Sequence, residues 1–285
     1  MNGILIIDKP GGITSHDVVN RVRKLFQTTK VGHLGTLDPM ATGVLPVCVG
    51  KATRIGQFLP TAPKEYAGEI RFGFSTTTYD REGDPTSEGQ HFTASRGDVE
   101  KAVGELTGVI DQVPPPFSAK KIGGVPSYKL ARRGRTVENP AARVEIFEFE
   151  IKNLAGPLLE FRISCSGGTY IRSLAHDLGQ RLGMGAHLES LRRVRSGEFT
   201  IAQATELDKI SPADVIPIER LLESMPLIEV SGAEERRVAH GNDIPAEAGS
   251  HLARIFNKRG QFIAIAAIEN GLARPMLVLT SVTSE

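Results

Sequence analysis

Gly32-His33-Leu34-Gly35-Thr36-Leu37-Asp38-Pro39-Met40-Ala41-Thr42-Gly43-Val44-Leu45 is the stretch on which the reading of this chain turns. It holds three glycines, one proline, one histidine and a single carboxylate. Pro39 drives Asp38 away from helical geometry toward an extended one. The glycines permit tight bends and close approach of a ligand to the backbone. A lone acid displayed on a stiff, bent loop has the form that a nucleophile or base requires. The competing reading is a turn in which Asp38 only caps its own backbone. The company of the whole segment and of four further stretches weighs against it.

Outward from this loop, strands and helices intermix. Ile4 to Ile7 reads as a buried strand, followed by the Gly11-Gly12 turn. Ser15 is placed to cap a helix whose apolar positions Val18, Val19, Val22, Leu25 and Phe26 share one face. After the Asp38 loop an apolar run extends from Val44 to Val49. Ile70, Phe72 and Phe74 alternate with strand periodicity, and Tyr66 lies at the entry to that strand. The polar, turn-rich segment Asp80 to Gln90 predicts a surface loop, and Asp98 to Leu106 a short helix that Pro114-Pro115-Pro116 would end. Arg143 to Ile151 and Leu159 to Cys165 read as strands. Gly167-Gly168 breaks the second, and Ile171, Leu174, Ala175, Leu178 and Leu182 then follow at helical spacing. With no regular βαβ beat, an α+β domain with a mixed or antiparallel sheet is favoured over a doubly wound one. From about Pro226, short apolar stretches alternate with glycine-rich turns, which predicts a small β-rich C-terminal unit.

The bulk numbers narrow the function classes. The 285 residues are 40% hydrophobic and 24% charged, as in an ordinary soluble globular protein. A net charge of +1 argues against a basic tail but not against nucleic acid, because a neutral total can hide a basic face. Cys48 and Cys165 are far apart and lie in apolar stretches, so neither a disulfide framework nor a zinc site is expected. Ile4 to Ile7 is too short for a signal peptide, and no segment approaches the roughly 20 apolar residues of a membrane span. A cytoplasmic protein is expected. Several motifs fail on spacing. Gly43 to Thr53 does not fit a phosphate-binding loop, Gly83 is misplaced for a calcium loop, and no Gly-x-Ser-x-Gly elbow is present. Neither a metal nor a cofactor is expected.

Two constellations remain. Ser166-Gly167-Gly168-Thr169-Tyr170-Ile171-Arg172 runs from strand through a glycine pair into a helix, so Arg172 falls in the first helical turn. A cation there opposes the helix dipole by roughly 0.3–1 kcal/mol at an exposed site. A carboxylate or phosphate would compensate, although a merely solvated arginine reads about equally well from this segment alone. With Asp38 as partner, the guanidinium would favour the ionised carboxylate and hold it in a two-pronged fork. The second constellation is Ser118 to Arg135, where six cations crowd a loop-like region around Tyr128. It reads as a mobile arm that grips a phosphate backbone, against the plainer reading of a solvated face. A further basic stretch, Arg192-Arg193-Val194-Arg195, implies segregated charge.

The segments Leu5 to Ser15, Gly32 to Leu45, Tyr66 with its strand, Phe117-Ser118-Ala119-Lys120 and Gly168 to Arg172 resemble, in order and separation, the motifs of the TruB-type tRNA pseudouridine(55) synthases. The resemblance covers about the first two-thirds of the chain strongly and the tail weakly. It implies a pseudouridine synthase fold at 1–222, an α+β domain with a mixed, largely antiparallel sheet and flanking helices. An RNA-gripping insertion would lie at about 114–142 and a small β-rich PUA-like RNA-binding domain at 226–285. It implies isomerisation of one T-loop uridine of tRNA to pseudouridine, with Asp38 as nucleophile on a flipped-out base. Tyr66 would stack on that base and take part in proton transfer, and Tyr170 would line the pocket. Leu191 would contact the target nucleotide, and His33 would support the opened loop. Arg172 would pair with Asp38, and Lys9, Arg54, Lys120, Lys121, Arg132 and Arg133 would meet the RNA backbone. The partner would be the T stem-loop of tRNA, with no obligate protein partner, no membrane and a monomeric state. An isomerisation needs no redox cofactor. The carboxylate can attack base or sugar, or assist departure of the base. Two other readings keep the same basic clusters: a non-catalytic RNA-binding module, and a phosphoryl-transfer or hydrolytic enzyme using Asp38.

Overall fold

The computed structural model describes residues 1–118, 121–122, 125–127, 139–247 and 250–280, with the backbone alone at 121–122 and 125–126. Its main sheet places the strands in the order Thr205–Glu206, Gly3–Lys9, Thr42–Val49, Ala186–Ser196, Lys64–Phe72, Leu158–Cys165, Ala142–Ala155 and Gly108–Gln112. Two pairings are parallel, Gly3–Lys9 with Thr205–Glu206 and Thr42–Val49 with Ala186–Ser196. The other pairings along this order are antiparallel. The sheet is therefore mixed and largely antiparallel, as expected for an α+β protein.

Its central strands are buried on both faces. Leu5 and Ile7 point into a core shared with Val18, Val19 and Val22 of the helix Ser15–Leu25 and with Leu174 and Leu178 of the helix Ile171–Arg181. Ile4 and Ile6, on the opposite face, join Cys48, Phe256, Phe262, Ile265 and Leu277. This two-sided burial explains why the first strand reads as an unbroken apolar run. Cys48 and Cys165 are buried free thiols, and burial pushes them up to about 12 and about 11.

The C-terminal unit is β-rich. Its strands run in the order Leu227–Val230, Leu252–Asn257, Phe262–Glu269, Leu272–Val278 and Ile244–Pro245, with the helix Gly232–Ala239. The buried Arg254 fastens it to the preceding chain by donating to the carbonyls of Leu221, Glu223 and Met225. Among the described residues, no helix is long and apolar enough to cross a membrane.

Several local expectations shift. Thr14, not Ser15, caps the first helix: its Oγ1 accepts from Asp17 N at 3.1 Å while Asp17 Oδ2 accepts from Thr14 N at 2.9 Å. Such a reciprocal box is worth about 1 kcal/mol. This frees the Ser15 hydroxyl to turn inward. The predicted helix near Asp98 spans Arg96–Glu105 and is followed by an unforeseen edge strand, Gly108–Gln112. Asp80, expected on a surface loop, is buried. Arg192, Arg193 and Arg195 lie within the strand Ala186–Ser196, and none forms a free basic face. Arg193 is wholly buried, Arg192 pairs with Asp8 at 2.6 Å and Arg195 with Glu65 at 3.3 Å.

Candidate active site

Asp38 sits on the loop joining the strands Val31–His33 and Thr42–Val49, and this loop is pinned from beneath. Ser15 Oγ accepts from Leu37 N at 2.8 Å and donates to Leu37 O at 3.0 Å. Gly12 N donates to Pro39 O at 2.8 Å. Lys9 Nζ donates to Pro10 O at 2.8 Å, Ile13 O at 2.7 Å and Pro39 O at 3.2 Å. Arg193 reaches Val44 O at 2.7 Å, Gly35 O at 3.1 Å and Thr36 O at 3.4 Å. Pro10, Ile13, Gly35, Thr36 and Pro39 lie outside helix and strand, and long cationic side chains donate to their carbonyls. Gly43 has φ +101°, and a Cβ there would lie 2.2 Å from Arg193 O. Only glycine lets the loop re-enter the sheet so close to the neighbouring strand.

Arg172 comes from the other side of the cleft, in the first turn of the helix Ile171–Arg181. Gln112 fixes the residue before that helix: Tyr170 N donates to Gln112 Oε1 at 2.8 Å, and Gln112 Nε2 donates to Tyr170 O at 3.0 Å. Arg172 Nε donates to Asp38 Oδ2 at 2.8 Å and Nη2 to Asp38 Oδ1 at 2.9 Å, a two-pronged fork. Its remaining donors reach Thr78 O at 2.9 Å and Phe117 O at 3.0 Å, and Asp80 Oδ2 lies 3.5 Å from Nη1. The Arg172 side chain is 6% exposed, whereas that of Asp38 is 34% exposed. The guanidinium is thus locked, and the carboxylate it orients remains open to a ligand.

Asp38, Arg172, His33, Tyr66, Tyr170 and Leu191 all line one cleft of about 730 Å³. That volume lies within the roughly 300–1,000 Å³ typical of small-molecule sites. Burial pushes the phenols of Tyr66 and Tyr170 up, so both rings present neutral hydroxyls. Burial, reinforced by the charge of Arg193, pulls His33 down. Its Nδ1 is buried without a hydrogen-bond partner.

The remaining expected contacts lie elsewhere. The RNA-backbone role expected of Lys9 is not open to it: the residue is 0% exposed and its ammonium is committed to three carbonyls. Burial also pulls Lys9 down to about 8, against the charge of nearby Asp38. Arg54 is exposed but outside the cleft, and its Nη1 donates to Val278 O at 2.8 Å, tying the C-terminal unit to the short helix Ala52–Ile55. Lys120, Arg132 and Arg133 lie outside the described residues, as does the side chain of Lys121. Conversely, the sequence pattern did not single out Gln112 or Lys64, and it read Asp80 as part of a surface loop and Arg193 as part of a basic stretch rather than as members of this site. Asp80 carries one local signal, the Thr78-Tyr79-Asp80 run, in which Thr78 Oγ1 donates to Asp80 Oδ1 at 2.5 Å. Among the described residues no cluster of three or more His, Cys, Asp or Glu could hold a metal ion.

Comparisons with known proteins agree on one family. A family model described as TruB family pseudouridylate synthase (N terminal domain) matches residues 23–171, and one described as tRNA pseudouridylate synthase B C-terminal domain matches residues 172–227. A tRNA pseudouridine synthase B of Thermobifida fusca is 44% identical over 287 residues, covering 97% of this chain and 98% of the relative. One of Solibacter usitatus is 43% identical over 281 residues, covering 94% and 96%. Among solved structures, a Cbf5-Nop10-Gar1 complex contains a chain with 28% identity and a TM-score of 0.71, covering 98% of this chain and 84% of that one. An H/ACA RNP bound to a substrate RNA containing 2'-deoxyuridine gives 25% identity and a TM-score of 0.70, covering 99% and 86%.

Proposed function

The chain belongs to the TruB family of pseudouridylate synthases, and on that premise we propose that it acts on the T-loop uridine 55 of tRNA with Asp38 as nucleophile. The coarser activity is that of the family, isomerisation of uridine in tRNA to pseudouridine. The observation that carries the finer reading is the fork of Arg172 on Asp38 at 2.8 and 2.9 Å, set in a cleft with two tyrosine rings.

The reaction breaks the bond from C1′ to N1, turns the uracil and joins C1′ to C5. The proton on C5 leaves to solvent and N1 gains one. The target base is stacked inside a folded loop and must be extruded, at a cost of a few kcal/mol. A tyrosine face offsets about 1–3 kcal/mol of that per stacked base. Tyr66 takes the base and Tyr170 closes the pocket, with Leu191 on the wall beside the nucleotide. His33 supports the loop from which the base has left. Attack at the sugar and attack at the base both need a carboxylate fixed in direction, which the Arg172 fork supports. Because its phenol is pushed up by burial, Tyr66 gives or relays a proton as the neutral hydroxyl rather than starting as a phenolate.

Residues 1–222 act as the catalytic domain and 226–285 as a PUA-like RNA-binding domain. Lys120, Lys121, Arg132 and Arg133, in the insertion at about 114–142, hold the RNA backbone. The protein works as a cytoplasmic monomer without an obligate protein partner. The test is a T-stem-loop RNA carrying tritium at uridine C5. Wild-type protein should release the label and Asp38→Asn should not. Absence of release by the wild type removes the activity, and full release by the variant removes the role of Asp38.

A further inference from the structure

We propose that Lys64 is a phosphate subsite of this cleft, its ammonium binding the phosphodiester next to the flipped nucleotide. The inference rests on the reading above that the cleft receives a nucleotide of RNA.

Lys64 opens the strand Lys64–Phe72 two residues before Tyr66. The two-residue period of a strand puts both side chains on one face, and both line the cleft. The cleft is divided electrostatically. Asp38, Asp80 and Glu82 line one sector, with the Arg172 guanidinium committed to the first two. Lys64 and His33 line the other, with Arg193 behind them. Among the described residues Lys64 has neither a carboxylate partner nor a hydrogen-bond acceptor. The charged or titratable groups acting on it are Arg193, which repels it, and Cys165, whose thiol is held neutral by burial.

Backbone geometry builds the position. A Cβ on Gly35 would lie 3.1 Å from Lys64 Nζ and 3.6 Å from Arg193 Nη1. The bare glycine therefore leaves the place that the ammonium occupies, beside a second cation. Arg193 has directed its donors to the carbonyls of Val44, Gly35 and Thr36, so it adds positive potential without competing for a ligand. Burial and the charge of Arg193 both pull Lys64 down, and the opposite charge of an arriving anion would offset them. The anion that every RNA nucleotide brings is its phosphodiester. With the base on the Tyr66 side of the cleft, the ammonium two residues earlier on the same face is placed for the adjoining linkage.

The test uses T-stem-loop RNAs that each carry one neutral methylphosphonate linkage within two nucleotides of the target uridine. Binding and single-turnover tritium release are measured for the wild type, Lys64→Met and Lys64→Gln. At one linkage beside the target, neutralisation should weaken wild-type binding about tenfold and leave both variants unchanged, because loss of a charged hydrogen bond is of that size. On all-phosphate RNA the variants should bind about tenfold more weakly. Their slope of log K against log salt should be shallower by about 0.7, the value for one contact to a single strand. Thermal unfolding of both variants separates a lost contact from a lost fold. The proposal is overturned if the variants respond to every neutral linkage as the wild type does, or if they keep the wild-type salt slope. A shifted pH–rate profile with unaltered linkage effects would make Lys64 a proton-transfer group and equally overturn it. Tritium release by the wild type on unmodified RNA reads the proposed function separately, so the two ideas fail in different columns of the same experiment.

Discussion

Replacing Arg172 by lysine keeps the positive charge and removes the fork. In the native site the guanidinium reaches both oxygens of Asp38 and the carbonyls of Thr78 and Phe117, with Asp80 Oδ2 3.5 Å away, while its side chain is only 6% exposed. An ammonium has three donors, so at least two of these five partners are left unmet. At about 1.5–3 kcal/mol for a hydrogen bond to a charged group, somewhat less for a carbonyl, the fold should lose about 2–4 kcal/mol. The larger effect is on direction. A point charge cannot fix the plane of the Asp38 carboxylate, and a displacement of about 1 Å costs on the order of 10²-fold in rate. We expect kcat to fall about 10²-fold while KM stays within about threefold, because the residues expected to hold the RNA are untouched. Single-turnover tritium release gives the rate, and chemical denaturation gives the stability. Arg172→Met is the companion: it leaves two carboxylates without their cation and should cost about 3–5 kcal/mol. A lysine variant that turns over within threefold of wild type would falsify the reasoning, since charge alone would then suffice and the fork would have no catalytic meaning.

Two further outcomes follow from groups around the same loop. Lys9→Met should lower stability by about 3 kcal/mol, since three carbonyls lose their donor at about 1 kcal/mol each. It should leave the salt dependence of RNA binding unchanged, and an altered slope would restore Lys9 as a phosphate contact. Burial lowers Lys9 from 10.5 to about 8 in the fold, so between those values the unfolded chain binds more protons. Wild-type stability should therefore rise through that window relative to the methionine variant, by up to about 3 kcal/mol. Asp80→Asn should reduce kcat about tenfold or more with little change in KM. The Asp80 carboxylate accepts from Thr78 Oγ1 and Glu82 N, and so shapes the loop that presents the Thr78 carbonyl to Arg172. A variant with reduced affinity but full turnover would instead place Asp80 in RNA recognition.

How much of this was legible in the sequence depends on the range over which each feature is determined. The Asp38 loop could be read because Gly32, Gly35, Pro39 and Gly43 constrain their own backbone. The helix-start cation Arg172 could be read because a dipole opposed by a charge is a local anomaly that asks for a partner. The alternating strands could be read because burial on one face writes a period of two. Features that depend on distant partners could not. Asp80 stands in a polar run that looks solvated, and the cation that helps to offset its burial, Arg172, lies far along the chain. Lys9 and Arg193 carry charges that composition assigns to the surface, yet their acceptors at Pro39, Gly35, Thr36 and Val44 are brought to them by the sheet register. Ser15 looked like a cap because nothing local shows that its hydroxyl belongs to Leu37.

The same register changes where RNA affinity has to come from. Arg192, Arg193 and Arg195 looked like a basic patch hidden in a protein of net charge +1. In the fold, Arg193 supports the Asp38 loop, Arg192 faces Asp8 at 2.6 Å and Arg195 faces Glu65 at 3.3 Å, with Arg162 on the same Glu65 at 2.6 Å. Arg193 is a buried staple and the half-exposed Arg192 and Arg195 are held in ion pairs, and each neutralised pair removes a contact that could have displaced a counterion from RNA. Each phosphate contact contributes a slope of roughly 0.7–0.9 in log K against log salt. The slope therefore counts the cations that meet phosphate, and those proposed for that role are Lys64 in the cleft and Lys120, Lys121, Arg132 and Arg133 in the basic segment. If Arg192→Gln and Arg195→Gln leave the slope intact while substitutions at Lys64 and in the basic segment lower it in steps, the division between staple and grip is physical. A drop on removing Arg192 or Arg195 would mean that RNA breaks those ion pairs on binding and takes the arginines for itself.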